Sequence, residues 1–127
     1  MQSTMKTILV VDDEQDVIDT ISLYLKDTYA LRQAHSGKEC LEQVADKKPD
    51  CIIMDVIMND VLDGLVTAKQ LKDSESTRDI PVIILTSVND VFDYRQHVSD
   101  EYFPRDVWLD KPVKEQALKS AVKKMIG

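Results

Sequence analysis

Four short runs along the chain are apolar almost without interruption: Thr7-Ile8-Leu9-Val10-Val11, Cys51-Ile52-Ile53-Met54, Pro81-Val82-Ile83-Ile84-Leu85 and Asp106-Val107-Trp108-Leu109. Each is too short for most helices and lacks the polar alternation of a half-exposed strand, so each predicts a strand covered on both faces. Tyr29 to Ala34 is a weaker, more polar run that suits an edge. Between the runs the apolar spacing changes to that of helices. Val17, Ile18, Ile21 and Leu25 predict a first helix, and Asp16 and Asp19 sit near its start, where the helix dipole favours anions. Ser36 to Glu39 fits a capping box for a second helix, with Leu41, Val44 and Ala45 predicted inward and Pro49 closing it. Asp63-Gly64 opens a third, with Leu65, Ala68 and Leu71 on one face. A fourth begins near Asn89, with Val91 and Phe92 inward, and its pattern fades after Val98. Ala117, Leu118, Ala121, Val122 and Met125 form the apolar stripe of the last.

Strand and helix thus alternate five times. The pattern predicts an α/β fold, a three-layer doubly wound parallel sheet of five strands in the order 2-1-3-4-5, flavodoxin-like, with right-handed crossovers. A chain of 127 residues suits a single domain with one core region. Residues 1–6 read as a short polar leader and 7–127 as the domain.

Polar residues punctuate the ends of these strands. Asp12 and Asp13 follow the first, Asp55 the third, Thr86 the fourth and Lys111 the fifth. In an open parallel sheet, ligands bind beyond the carboxyl ends of the strands, where the strand order reverses. Strands one and three flank that point, so the three acids are expected to share one pocket, with Thr86 and Lys111 along its rim. Two carboxylates about 4 Å apart repel by roughly 4 kcal/mol at an effective dielectric near 20. Such a group takes up a proton or binds a cation. All-oxygen donors at a cleft mouth suit Mg²⁺, and a lysine and a hydroxyl nearby suit phosphate oxygens. The combination points to phosphoryl transfer onto a carboxylate, with Asp55 the best nucleophile because it stands alone on a central strand.

Val-Val-Asp12-Asp13-Glu14, Ile-Ile-Met-Asp55, Ile-Leu-Thr86-Ser87 and Asp-Lys111-Pro112, in this order, resemble the receiver domain of bacterial two-component response regulators over essentially the whole chain. The resemblance implies that Asp55 is the phosphoacceptor, charged by a histidine kinase or histidine phosphotransfer protein. It also implies that Asp13, Asp55 and the backbone carbonyl of Ile57 ligate Mg²⁺, with Asp12 holding it largely through water. Thr86 would be the switch hydroxyl, Lys111 the cation that pairs with the phosphoryl group, and Trp108 the switch aromatic, in part a core residue. Lys111-Pro112 is expected to be cis.

Two departures stand out. Met58 is followed by Asn59, and Asp63-Gly64 comes one position late, so the loop after Asp55 looks one residue longer, with Asp60 adding charge. The segment between Thr86 and Lys111 is about three residues longer than usual and carries His97-Val98-Ser99-Asp100-Glu101-Tyr102-Phe103-Pro104-Arg105. This predicts a short or displaced fourth helix.

Composition narrows the function classes. Sixteen basic against twenty-three acidic residues leave a net charge of −7, which argues against direct nucleic-acid binding. No apolar run reaches membrane-spanning length, and the expected setting is cytoplasmic. Cys40 and Cys51 have neither zinc-ligand nor Cys-x-x-Cys spacing and read as reduced, buried thiols. His35 and His97 read as surface or half-buried. The leading function is a stand-alone phosphorylatable switch that modifies only itself, with a protein partner and possible homodimerisation. The alternatives are a Mg²⁺-dependent phosphohydrolase with an aspartyl nucleophile and a degenerate receiver that works as an unphosphorylated interaction domain.

Overall fold

The structure is a computed structural model and describes residues 5–55, 63–86 and 108–126, without the side chains of Asp63, Leu65 and Thr86. Its elements run β1 (Thr7–Val11), α1 (Gln15–Leu25), β2 (Ala30–Ala34), α2 (Gly37–Asp46), β3 (Cys51–Asp55), α3 (Asp63–Asp73), β4 (Val82–Thr86), β5 (Trp108–Asp110) and α4 (Glu115–Ile126). All strand pairs are parallel, and the sheet order is β2-β1-β3-β4-β5, as the pattern predicts. The helix expected from Asn89 and the atypical 97–105 segment lie outside the described residues, as do the loop after Asp55, His97, and Asp106 and Val107 of the fifth run.

The unbroken apolar runs have a direct explanation. Successive side chains of a strand point to opposite faces, and both faces are covered. Leu9, Val11, Ile52, Met54, Val82 and Ile84 point to the side holding Cys40 and Val44 of α2 and Ala68 and Leu71 of α3. Ile8, Val10, Cys51, Ile53, Ile83 and Leu85 point to the other, against Ile18, Ile21 and Leu25 of α1 and Leu118 and Val122 of α4. No polar alternation can survive in strands that have no wet face.

The edge strand behaves differently. Arg32 of β2 donates from Nη1 to the carbonyl of Lys47 at 2.6 Å and from Nη2 to that of Gln43 at 2.7 Å. These bonds tie the edge strand to the C-terminal end of α2, where the Gln43 carbonyl also accepts from the Lys47 amide at 3.1 Å. At the start of α2, Ser36 accepts from the Glu39 amide at 3.1 Å, one half of the predicted capping box. The Glu39 carboxylate meets His35 Nδ1 instead, at 3.1 Å. Pro81, predicted as the first residue of its strand, precedes β4. Having no N–H to give, it contributes only its carbonyl, which accepts from the Ile52 amide at 2.9 Å.

Two inward predictions, Ala45 and Ala117, are corrected, while Leu41 is partly buried against the core as expected. Cys40 and Val44 carry the buried stripe of α2, while Leu41 is half-buried and Ala45 exposed. The stripe follows Gly37, Cys40 and Val44, and Leu41 and Ala45 fall to one side, along the open groove between α2 and α3. Ala117 of α4 is also exposed, to one side of the stripe through Leu118, Ala121, Val122 and Met125 that packs on the core.

Both cysteines are buried free thiols, and burial pushes the Cys51 thiol up to about 12. A thiol held neutral and out of solvent is a poor nucleophile. The native protein is therefore expected to give no reaction with a disulfide reagent at neutral pH, and both thiols are expected to titrate once it unfolds. Ile53 is fully buried between β1 and β4, and Ile53→Ala should destabilise the domain by about 2–5 kcal/mol in urea unfolding.

Candidate functional site

The site is built where β1 and β3 end side by side. Their register pairs Val11 with Met54, and one further step brings Asp12 beside Asp55. Asp12 is held in this extension by its amide, which donates to the Ala34 carbonyl of β2 at 3.1 Å. Its Oδ1 then accepts from the Glu14 amide at 2.9 Å, turning the chain into α1 as aspartates at such turns do. Asp12 is fully buried and Asp55 only 3% exposed, whereas Asp13 is open to solvent. Each of the three offers a carboxylate oxygen, and these oxygens lie within 4.8 Å of one another. The three acids predicted to share a pocket do so.

Lys111 enters the same space from the end of β5. Its Nζ is 3.0 Å from Asp55 Oδ2 and 3.4 Å from Asp12 Oδ2, and its side chain is 21% exposed. The sequence placed it along the rim. The structure draws it inward, because two buried carboxylates give a cation more than water at the edge does. The peptide bond between Lys111 and Pro112 is cis, as expected.

Opposing influences act on these groups. Burial raises the Asp12 carboxyl above its ordinary value, only partly offset by the Glu14 amide and by Lys111. For Lys111, burial works to lower the ammonium. The hydrogen bond and charge of Asp55, followed by those of Asp12, outweigh it and hold the group above the usual lysine value. Among the described residues one partly buried cation, paired with two of the three clustered acids, leaves the site short of positive charge.

Thr86 is the last residue of β4, and its backbone pairs with Asp110 of β5, one step beyond the Asp55–Leu85 pair. This puts its backbone at the same end of the sheet; its hydroxyl lies outside the described residues. So does the Ile57 carbonyl. Trp108 opens β5 opposite Ile84 and is half-buried against the core on the α2–α3 side, the core role expected of it.

A polar brace that no sequence motif marks lies behind the acidic turn. Gln15, at the start of α1, donates from Nε2 to Asp19 Oδ1 at 2.9 Å and to Gln33 Oε1 at 3.0 Å. Its Oε1 meets His35 Nε2 at 2.7 Å. His35 is indeed half-exposed, but it joins the first turns of α1 and α2 beside the site. Four residues distant in sequence converge there with no motif to announce them. On the other flank a groove of about 480 Å³ opens between α1 and the segment after β5, lined by Val17, Ile21, Tyr24, Pro112 and Val113, with Lys111 at its end.

Comparison with known proteins agrees with this geometry. The family model described as "Response regulator receiver domain" matches residues 8–123. The response regulator MprA of Mycobacterium ulcerans is 33% identical over 108 residues, covering 82% of this chain and 45% of that protein. MprA of Mycobacterium avium is 32% identical over 108 residues, covering 82% of this chain and 46% of its own length. The chain therefore spans under half the length of these relatives. Among solved structures, the chemotaxis response regulator CheY4 of Vibrio cholerae superposes with a TM-score of 0.81 at 25% identity, covering 96% of this chain and 99% of that one. The signal receiver domain of a signal transduction histidine kinase from Syntrophus aciditrophicus gives 0.80 at 30% identity, covering 95% and 89%.

The raised Asp12 carboxyl carries a stability consequence. A carboxyl whose folded value exceeds its unfolded one costs nothing at low pH, and its cost grows as pH rises from the ordinary aspartate range through the folded value. Without divalent cation, Asp12→Asn should therefore raise the thermal midpoint at pH 7. The gain should vanish near pH 3, below the ordinary aspartate range of about 3.9. Calorimetry in chelator across that range checks it; an Asn variant that melts lower at pH 7 than the parent would contradict the direction.

Proposed function

Since the chain belongs to the response regulator receiver domain family, the phosphoacceptor modules of two-component signalling, we propose that it takes a phosphoryl group on Asp55 from a histidine kinase or histidine phosphotransfer protein. The observation that carries this reading is the pocket itself: three carboxylates from two adjacent strand ends, two of them buried, with Lys111 reaching both buried ones. A structural role alone does not account for burying two acids against a single lysine, since apolar residues of similar size would stabilise the fold as well or better.

Asp55 acts as the nucleophile. Its oxygen forms a bond to phosphorus as the bond from phosphorus to the donor histidine nitrogen breaks, and the electron pair leaves with that nitrogen. The oxygen-only donor set, its clustering and its deficit of positive charge fit Mg²⁺. Asp12, Asp13 and Asp55 would hold the ion together with the Ile57 backbone carbonyl, which the resemblance implies. When bound, it supplies charge neutralisation for phosphoryl oxygens. Lys111 already touches the Asp55 oxygen and has a second attachment at Asp12, so it can follow a phosphoryl oxygen without leaving the pocket. Thr86, from the adjacent strand end, would supply a donor to another such oxygen, and Trp108 would answer its movement from the core side of β5. The groove between α1 and the segment after β5, which Lys111 helps to line, offers the donor protein a surface beside the site. The chemistry is confined to the chain's own phosphorylation and dephosphorylation, in a cytoplasmic setting. Among the described residues no helix is long and apolar enough to cross a membrane.

Incubation with acetyl phosphate and Mg²⁺, read by intact mass, should add one phosphoryl group. Asp55→Asn should abolish it, chelator should prevent it, and Asp13→Asn should slow it by about tenfold or more, the scale of losing one charge-stabilising group. Stable labelling of Asp55→Asn would move the site elsewhere. Fast turnover of external phosphoesters would favour a phosphohydrolase, and no uptake with metal present would favour an interaction domain that is never phosphorylated.

A further inference from the structure

Asp12 and Asp55 are fixed in place by burial and by the lysine they share. Asp13, the third acid of the cluster, is exposed, and Lys111 pairs with the other two. Where its carboxylate stands is therefore set by the path of the backbone through residues 12–15. That path has a firm beginning. The Asp12 amide donates to the Ala34 carbonyl at 3.1 Å, and Asp12 Oδ1 accepts from the Glu14 amide at 2.9 Å. Its end lacks the usual fastening. Glu14 is the N-cap of α1 and makes no side-chain cap hydrogen bond, the contact that commonly fixes the first turn of a helix.

Gln15 supplies a fastening from the other direction. Its side chain reaches Gln33 and His35, the residues immediately before and after Ala34. The acidic turn is thus tied around the end of β2 by a backbone bond in the middle and a side-chain bond on either side. The direction of each bond follows from the donors. A carboxamide nitrogen has two hydrogens to give, and those of Gln15 go to Asp19 Oδ1 at 2.9 Å and Gln33 Oε1 at 3.0 Å. Gln15 Oε1 is then the atom turned toward His35 Nε2, 2.7 Å away, and His35 donates to it. His35 Nδ1 lies 3.1 Å from Glu39 Oε1, which ties the ring to the first turn of α2.

We propose that Gln15, oriented by His35, is a positioning residue for the divalent cation: it holds the acidic turn so that Asp13 stands with Asp12 and Asp55. The inference rests on the Mg²⁺-holding part of the function proposed above. Magnitudes separate this role from a purely structural one. An exposed hydrogen bond replaces one to water at little net gain, so losing these contacts leaves the fold intact. Mg²⁺ is less forgiving, because it demands near-ideal octahedral geometry at about 2.0–2.1 Å, and a carboxylate displaced by a fraction of that distance loses it. Residues that orient metal ligands from behind typically change affinity by about 10–100-fold. Gln15 acts through the backbone of the turn, one step further out, which sets the expectation at the low end.

Isothermal titration of the whole chain with magnesium chloride, with no phosphodonor present, tests it. Gln15→Ala should weaken Mg²⁺ binding by about tenfold, with the circular dichroism spectrum and thermal midpoint close to those of the parent. In His35→Gln the new amide N–H reaches as far as Nε2; in His35→Asn it reaches only as far as Nδ1. His35→Gln should therefore keep the parental affinity, while His35→Asn and His35→Ala should weaken it as Gln15→Ala does. Val122→Ala, which removes core contacts under α4, should lower the thermal midpoint and leave the affinity unchanged. In acetyl phosphate labelling, the Gln15→Ala deficit should appear as a raised Mg²⁺ requirement and disappear at saturating Mg²⁺. A parent that binds Mg²⁺ and variants that bind it equally well would overturn this inference and leave the phosphoacceptor reading standing. So would a His35→Gln variant as weak as His35→Ala, or an affinity that tracks the thermal midpoint across the set. A parent that takes up no Mg²⁺ would overturn both.

Discussion

One lysine shared between two buried carboxylates is the constraint on which the site depends. Asp12 and Asp55 are almost wholly out of water, and Lys111 touches both. Removing such charges from solvent costs several kcal/mol per ion, and removing one partner of a buried pair leaves the other uncompensated. Three chain segments distant in sequence, the ends of β1, β3 and β5, are therefore held to one another by a polar contact that the apolar core does not replace. Asp13, exposed, adds a third acid without a comparable burial cost. The result is a pocket that favours further positive charge.

The sheet makes this arrangement possible. In a parallel sheet every strand ends on the same side, and β1 and β3 are neighbours whose connecting helices leave toward opposite faces. Between those departures Asp12, one residue past β1, and Asp55, the last residue of β3, come together. Buried strands of Ile, Val and Leu on both sides make the floor stiff, so the spacing of the acids is fixed by the ladder. The Gln15–His35–Glu39 contacts add a second restraint from the β2 side and keep the acidic turn from swinging with α1.

How much of this was legible in the chain follows from the range of each interaction. β1, β3 and β4 were readable because burial on both faces leaves an unbroken apolar signature, and Asp12, Asp55 and Lys111 because each interrupts such a run at its end. Their convergence needed only the strand order, itself dictated by alternating strands and helices. What the pattern misplaced was rotational. Ala45 and Ala117 share the apolar character of their buried neighbours, and only the width of the helix's contact with the core decides which side of the stripe meets it. Lys111 was assigned to the rim because a lone lysine in sequence says nothing about the depth of its partners. The Gln15–His35 brace was invisible because polar side chains on three elements meet with no periodicity to mark them.

β5 joins the two halves of the protein's behaviour. It is short, and its residues are half-buried or exposed where those of β3 are all buried. An element with so little burial moves at lower cost than one in the middle of the sheet. Yet Trp108, Asp110 and Lys111 lie within four residues, so the lysine that answers to Asp55 and the indole that packs against the α2–α3 core share one short, loosely held segment. β3, which carries Asp55, is buried along its whole length and is the more firmly held of the two. The rigid strand fixes where Asp55 sits, and the marginal one where Lys111 and Trp108 sit.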